Sequence, residues 1–434
     1  MTDSTLNSIN EHLLDNVMKL TESTEVTALE DIYNEHGTKL LAKGAGITPD
    51  LTERLLRHKL RKPLEASLLV ADGVTSASVL ARAEHLMEEV PALKVFMGGK
   101  QAYIFETLSH VSFHPPAALL LSVADKAREG LFRHGVLVAL IAISLGAHQK
   151  MERDNLVMLA LASLLHDIGE LYIDPDYINT QRTLTPEEWK YVAAHPLIGQ
   201  MVLSELTEYP EIILDAVACH HERLDGSGYP RQLSGKKISP LAQILSMAET
   251  LSGVIVCKDD VLVRSCLALK CIPGEHSREL ISVVSTLRRD YAGASFPTGI
   301  AITQPTSNTY GVAKTLASAV AECKKIAEIP SLPPAISGML HHVENRLAGL
   351  RQALKATGIE ECIDENGNLI ASAQEDHEIF LEIEVVGQEI GWRLRDISRD
   401  LYLRLSDHAP EAVPKFSRLI EILNSPVDHC SRAC

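Results

Sequence analysis

Residues 155–169 read NLVMLALASLLHDIG. Leu156, Leu159, Leu161, Leu164 and Leu165 leave no polar face of useful width, so the segment reads as a helix that is apolar nearly all round. A helix of that kind lies at the centre of its domain. It runs directly into an adjacent histidine and aspartate, His166 and Asp167. A buried helix with two ionisable groups at its end sets the expected fold class as mainly α and marks where chemistry is concentrated.

The surroundings agree. From about residue 76 to 300 the apolar spacing is helical almost throughout. Residues 136–146, VLVALIAISLG, are the most apolar stretch. They fall short of the roughly 20 residues needed to cross a bilayer and read as a buried core helix. The N-terminal part has a different texture. In residues 27–42, TALEDIYNEHGTKLLA, β-type runs flank Asn34-Glu35-His36-Gly37, the signal of a hairpin turn. The following LTERLLRHKL has helical spacing, with Thr48 as its cap. Residues 1–75 are therefore expected to form a small α+β module, which carries no catalytic signal.

The stretch from Ala292 to Asn308 is the best boundary candidate. Beyond it, Ile336, Leu340, Val343, Leu347, Leu350 and Leu354 follow heptad spacing, as do Ile383, Val386, Ile390, Leu394, Ile397 and Leu401. Asp364-Glu365-Asn366-Gly367-Asn368 between them is a turn signal, so a helical hairpin is expected within residues 301–434. Its seams serve either packing within the chain or a homodimer.

Composition bounds the function. The 434 residues suggest about two or three domains. With only 4% aromatics the core must be aliphatic, which suits packed helices. The net charge of -16 argues against DNA or RNA binding through the phosphate backbone. It leaves room for a small anion in a local cationic or metal-bearing pocket. The start MTDSTLNSINEHLLDN has no basic region followed by an apolar one, so neither secretion nor a membrane is expected. Cys219, Cys257, Cys266, Cys271, Cys323, Cys362, Cys430 and Cys434 are scattered without a CxxC pair, which indicates a reducing cytoplasm. The tail from His429 to Cys434 reads as a disordered terminus rather than a metal site.

The informative residues lie between 134 and 249: His166-Asp167, then His195-Pro196 with Gly199, then His220-His221-Glu222. One histidine on an apolar helix is usually a hydrogen-bonded core residue. Two adjacent pairs would leave several buried imidazoles in need of partners, at roughly 1–3 kcal/mol for each unsatisfied group. Metal coordination removes that cost. Imidazole and carboxylate donors without thiolate favour iron, manganese or zinc. Six or seven such ligands exceed a single tetrahedral site, and Asp167 has two oxygens with which to bridge two cations. Paired metals clamp a phosphoryl group and generate hydroxide near neutrality, so the expected chemistry is phosphate-ester hydrolysis.

His166-Asp167-Ile168-Gly169, His195-Pro196-Leu197-Ile198-Gly199 and the block from His220 to Pro230, HHERLDGSGYP, stand in the order and spacing of the HD-GYP family, which this sequence resembles over about 120 residues. The resemblance implies an all-helical HD-type phosphohydrolase domain over residues 76–300. It also implies a centre of two or three metals that opens cyclic di-GMP to the linear dinucleotide and on to GMP. By motif, His166 and Asp167 would be ligands at the reacting centre, with Asp167 bridging. His195, His220 and His221 would complete the cage. His134, in FRHGVLVA, fits the family's upstream histidine, and Glu249 stands where the family has a ligating aspartate. Arg223, Asp225, Gly228, Tyr229 and Pro230 would lie at the substrate, and the Gly-Tyr-Pro loop would also serve protein partners.

The sequence departs from the pattern in four places. Glu170 replaces the lysine placed near the substrate phosphate. Ser252 replaces a second aspartate. The downstream arginine motif is missing, with Lys258 and Arg264 the nearest cations. Gly130, with Glu129 beside it, replaces a third-metal glutamate, so two divalent ions are expected, iron or manganese ahead of zinc. The cage is kept and the substrate clamp is altered. That allows an active cyclic di-GMP phosphodiesterase, or a weak or inactive relative that senses the nucleotide.

Overall fold

The structure, a computed structural model, describes residues 6, 8–128, 130–178, 184–255, 261–290, 308–330, 332–356 and 377–425. Lys258, Glu129, the turn at 364–368, the tail from His429, four of the cysteines and most of the boundary stretch lie outside the described residues. The chain divides into two compact units. The first comprises Met1–Gln181, Tyr191–Arg223 and Tyr229–Ser252, and the second Arg182–Lys190, Leu224–Gly228 and Gly253–Cys434.

The first unit opens with α1 (Glu11–Thr21), β1 (Val26–Ala28), β2 (Ile32–Tyr33), β3 (Lys39–Leu41), α2 (Thr52–Leu56) and β4 (Leu68–Val70). β1 pairs antiparallel with β4, Val26 opposite Val70, and β2 with β3, Ile32 opposite Leu41. The hairpin turn closes where the Asn34 side chain accepts the amide of Thr38 at 2.8 Å and Gly37 takes φ 83°. The expected helix over LTERLLRHKL stops at Leu56, because residues 59–61 pair with the hairpin instead. The Glu35 amide donates to the Lys59 carbonyl at 2.8 Å, and that of Arg61 to Tyr33 at 3.0 Å. Thr48 is extended and makes no capping bond.

Helices follow in chain order: α3 (Ser76–Glu89), α4 (Ala92–Met97), α5 (Gln101–Ser109), α6 (Pro115–Lys126), α7 (Leu131–His148), α8 (Arg153–Leu165), α9 (Pro175–Ile178), α10 (Pro186–Ala193), α11 (His195–Leu206), α12 (Glu211–Cys219) and α13 (Pro240–Ile255), of which α10 up to Lys190 and α13 from Gly253 belong to the second unit. A 3₁₀ turn, Ile168–Tyr172, follows α8. α7 and α8 form the centre of this unit. Gly135 lets α7 approach, since a Cβ there would stand 3.1 Å from the Leu164 carbonyl. α7 is longer than the expected core segment. Among the described residues it is the one helix long and apolar enough to cross a membrane, yet it is buried inside the protein along most of its length.

The second unit contains α14 (Val261–Lys270), α15 (Arg278–Asp290), α16 (Asn308–Ala327), α17 (Pro334–Ala356), α18 (His377–His408) and α19 (Val413–Leu423). α18 is flanked by α14, α16, α17 and α19. Both heptad seams are buried in this cluster, from Ile336 to Leu354 on α17 and from Ile383 to Leu401 on α18. The chain's own helices cover the seams. Buried charges are paired along α18: Arg393 with Glu275 at 2.8 Å, and Arg346 with Asp400 at 3.3 Å. The described secondary structure is mainly helical, with strands confined to the N-terminal segment, as the sequence implied.

Candidate metal centre

Three histidines occupy equivalent local positions. His166 ends α8, His220 ends α12, and His195 follows closely on the end of α10. A helix end leaves carbonyls without an intrahelical donor. Each imidazole supplies one from Nδ1 to the carbonyl three residues back: Ser163 at 2.7 Å, Val192 at 2.8 Å and Val217 at 2.6 Å. A carbonyl only accepts, so Nδ1 carries the proton in all three and Nε2 is left as a bare lone pair. This is the arrangement by which protein sites orient metal-binding imidazoles.

The bare nitrogens converge on Asp167, and its two oxygens face different neighbours. Oδ2 lies 2.9 Å from His166 Nε2 and 3.4 Å from His134 Nε2. Oδ1 lies 3.3 Å from His195 Nε2 and 3.4 Å from His220 Nε2. Glu249, on α13, closes the first group at 3.0 Å from His134 Nε2 and 3.4 Å from His166 Nε2. His221 joins the second group. The structure thus brings His134, His166, Asp167, His195, His220, His221 and Glu249 together, as two donor sets that share one carboxylate.

Electrostatics divides the imidazoles. Burial works against charge on His166, but the adjacent Asp167 outweighs it and holds the ring well above its usual range. His134 and His195 are raised in the same way against burial, by Glu249 and Asp167 respectively. Burial pushes His220 down to about 4, and burial with His220 and His195 holds His221 well below its usual range. Burial would raise Asp167 and Glu249, yet His166 and His134 hold them well below the usual carboxylate range.

A divalent metal fits this donor set. His195 Nε2 and His220 Nε2 lie 3.1 Å apart although both Nδ1 protons are committed to carbonyls, so two lone pairs face each other. His166 Nε2, its Nδ1 proton likewise committed, faces the acceptor-only oxygens of Asp167 at 2.9 Å and Glu249 at 3.4 Å. A cation between the nitrogens relieves both conflicts.

Glycine explains the shared ending of two motifs. A Cβ on Gly169 would stand 2.1 Å from the His195 carbonyl, and Gly199 lies against Gly169 and Val217. Only glycine lets the turn after Asp167 press onto the start of α11. Glu170, on that turn, is buried; burial first and then Asp167 raise its carboxyl to about 7.

The remaining expected residues have definite places. Tyr229 stacks on His221, ring centroids 4.5 Å apart, and its amide donates to the His221 carbonyl at 3.2 Å. The Tyr229-Pro230 peptide is cis. Arg223 donates to Ser246, to Thr250 at 3.2 Å and to the Glu222 carbonyl at 3.1 Å, so its guanidinium ties α13. In the second unit, the Asp225 carboxylate accepts the Ser227 amide at 3.0 Å, Gly228 is buried, and Gly226 O accepts from Arg404 at 3.1 Å. Arg264 is buried in α14. Sequence reasoning gave no role to Glu222, which is buried and accepts the amides of Arg231 at 2.7 Å and Leu233 at 2.9 Å, pinning the chain as it leaves the loop. It also passed over Arg128, buried between α6 and α7, which no motif marks.

Residues 119–256 match the HD domain family. The chain is 34% identical over 150 residues to the cyclic di-GMP phosphodiesterase PA4108 of Pseudomonas aeruginosa, covering 34% of this chain and 36% of that one. It is 35% identical over 98 residues to the 3'3'-cGAMP-specific phosphodiesterase 3 of Vibrio cholerae, covering 23% and 21%. It is 31% identical over 125 residues to the cyclic di-GMP phosphodiesterase PdeB of Borreliella burgdorferi, covering 29% and 33%. The matches span about a third or less of each relative's length. All seven converging donors fall within the matched residues 119–256, on helices or next to helix ends.

Proposed function

We propose that the chain is a cytoplasmic, metal-dependent phosphodiesterase that opens cyclic di-GMP to linear pGpG and on to GMP. The observation that carries this reading is the division of the donors into two sets around the two oxygens of Asp167. His134, His166 and Glu249 with Oδ2 would hold one divalent ion, and His195, His220 and His221 with Oδ1 the other. Two such ions, iron or manganese ahead of zinc, supply a hydroxide nucleophile at neutral pH and neutralise charge on the phosphoryl oxygens. The carbonyl-anchored Nδ1 protons keep the nitrogens aimed without reorganisation. Tyr229, already stacked on His221, offers an aromatic face for a nucleobase beside the cage. A homodimer through the C-terminal helices would use faces other than the covered seams.

A second reading, a nucleotide sensor with little turnover, draws on Glu170, a buried carboxyl where an anionic ligand must approach. One experiment separates the two. Anaerobically purified protein is analysed for metal, then incubated with cyclic di-GMP and, in parallel, 3'3'-cGAMP, and products are separated. About two metals per chain with pGpG or GMP formed supports the enzyme. Loaded protein that binds the nucleotide without product supports the sensor. Cleavage of 3'3'-cGAMP alone changes the substrate and keeps the chemistry, and protein without metal overturns both readings.

A further inference from the structure

Arg128 is 5% exposed, and its Nη1 is buried without a hydrogen-bond partner. A guanidinium is always charged and presents five donors in a rigid fork, so leaving one unmet inside a protein is costly. Its place in the chain is specific. α6, which ends two residues earlier, packs on the 3₁₀ turn that carries Glu170. α7, which begins three residues later, carries His134. Arg128 therefore lies on the link between a helix that packs on the turn after Asp167 and the helix that carries His134.

We propose that Arg128 is the anion-binding residue of the metal centre, its free guanidinium nitrogen donating to a non-bridging phosphate oxygen of the ligand. The proposal rests on the phosphodiesterase reading above for the identity of that ligand. Glu170 is the buried charge that acts on Arg128, and it lies in turn in the fields of Asp167, His195 and His134. No hydrogen bond or ion pair within 4.0 Å joins Arg128 to Glu170 among the described residues, so the fork is not consumed by it. The pair gives position 170 an offsetting cation from another helix junction. An anionic ligand then meets a guanidinium rather than an isolated carboxylate, and a phosphate suits the planar fork better than a single-point acceptor does.

The test uses metal-loaded, full-length protein and titration calorimetry with cyclic di-GMP and, separately, inorganic phosphate. Arg128→Ala is expected to weaken both ligands by at least about tenfold while metal content stays at the wild-type level. Arg128→Lys, which keeps the charge, is expected to recover part of the loss. Removing one member of a buried charged pair can unfold a protein, so the double variant Arg128→Met with Glu170→Gln is measured as well. It should fold, keep its metal and still bind phosphate weakly. Wild-type affinity in the folded double variant overturns the proposal. Should the wild-type protein bind phosphate and another cyclic dinucleotide but not cyclic di-GMP, the substrate reading falls; the Arg128 assignment is then judged by the phosphate titration alone.

Discussion

Asp167 gives one oxygen to each donor set, so neither set can absorb its loss. Asp167→Ala is expected to strip metal from both sets, whereas Glu249→Gln and His195→Ala should each leave about half the wild-type content. Elemental analysis of the three variants decides it; a full complement in Asp167→Ala removes the bridging role. The identities of these side chains were legible because adjacent histidine pairs beside apolar sequence are costly without a shared partner. What fixes their tautomers was not, since the acceptors are plain backbone carbonyls that any residue supplies. Arg128 was illegible for a related reason: an arginine in an acidic protein is ordinary until its burial is known. Glu65 makes the same point away from the metal. It is buried and accepts a 2.6 Å bond from the Tyr172 hydroxyl; burial raises its carboxyl above the ordinary 4.5 and the hydrogen bond lowers it by less. A folded-state pKa above the unfolded one gives stability that is full below pH 4.5 and is lost as pH rises through the folded value. Glu65→Gln keeps an acceptor for Tyr172 and has no proton to lose. Its stability relative to wild type should therefore grow with rising pH and then level off. Denaturation at several pH values between acid and neutral would reject this if the two curves stay parallel.

Packing between elements depends on a few contacts that allow no Cβ. At Gly169 an added methyl collides with the His195 carbonyl at 2.1 Å and the Gly199 amide nitrogen at 2.8 Å, both backbone. At Gly199 the nearest obstacle is the tip of Val217 at 3.2 Å, which can rotate. Gly169→Ala should thus cost more than Gly199→Ala, at or above the roughly 1–3 kcal/mol typical of overpacking. It should also lower metal content, because α11 begins with His195. Melting temperature and metal analysis test the ordering, and equal effects at the two glycines would refute the close-approach account. Apolar spacing made the long helices legible: the α8 segment and both heptad seams are buried as their periodicity implied. The short elements were not, because their boundaries are set by partners. The helix over LTERLLRHKL ends early only because the hairpin recruits the backbone of residues 59–61.

The N-terminal segment, which carries no catalytic signal of its own, reaches the turn after Asp167 through three side chains. Asn10 donates to the Tyr172 carbonyl at 3.1 Å, Asn16 to that of Leu171 at 3.2 Å, and Glu65 accepts from the Tyr172 hydroxyl. These bonds join residues more than a hundred positions apart, beyond the range of any local pattern. Their common target is the 3₁₀ turn that presents Gly169 and Glu170, so the segment holds one wall of the candidate centre. Asn16 is the sharpest probe, being 1% exposed and bonded to the turn by its amide. Asn16→Ala leaves the Leu171 carbonyl without that donor, at about 1–3 kcal/mol. If the segment positions the turn, hydrogen exchange at the amides of residues 168–172 should accelerate more than in α12, and metal should be lost at a lower chelator concentration than in wild type. If the loss of stability is spread evenly over the first unit and chelator resistance is unchanged, the segment merely covers the helices beneath it.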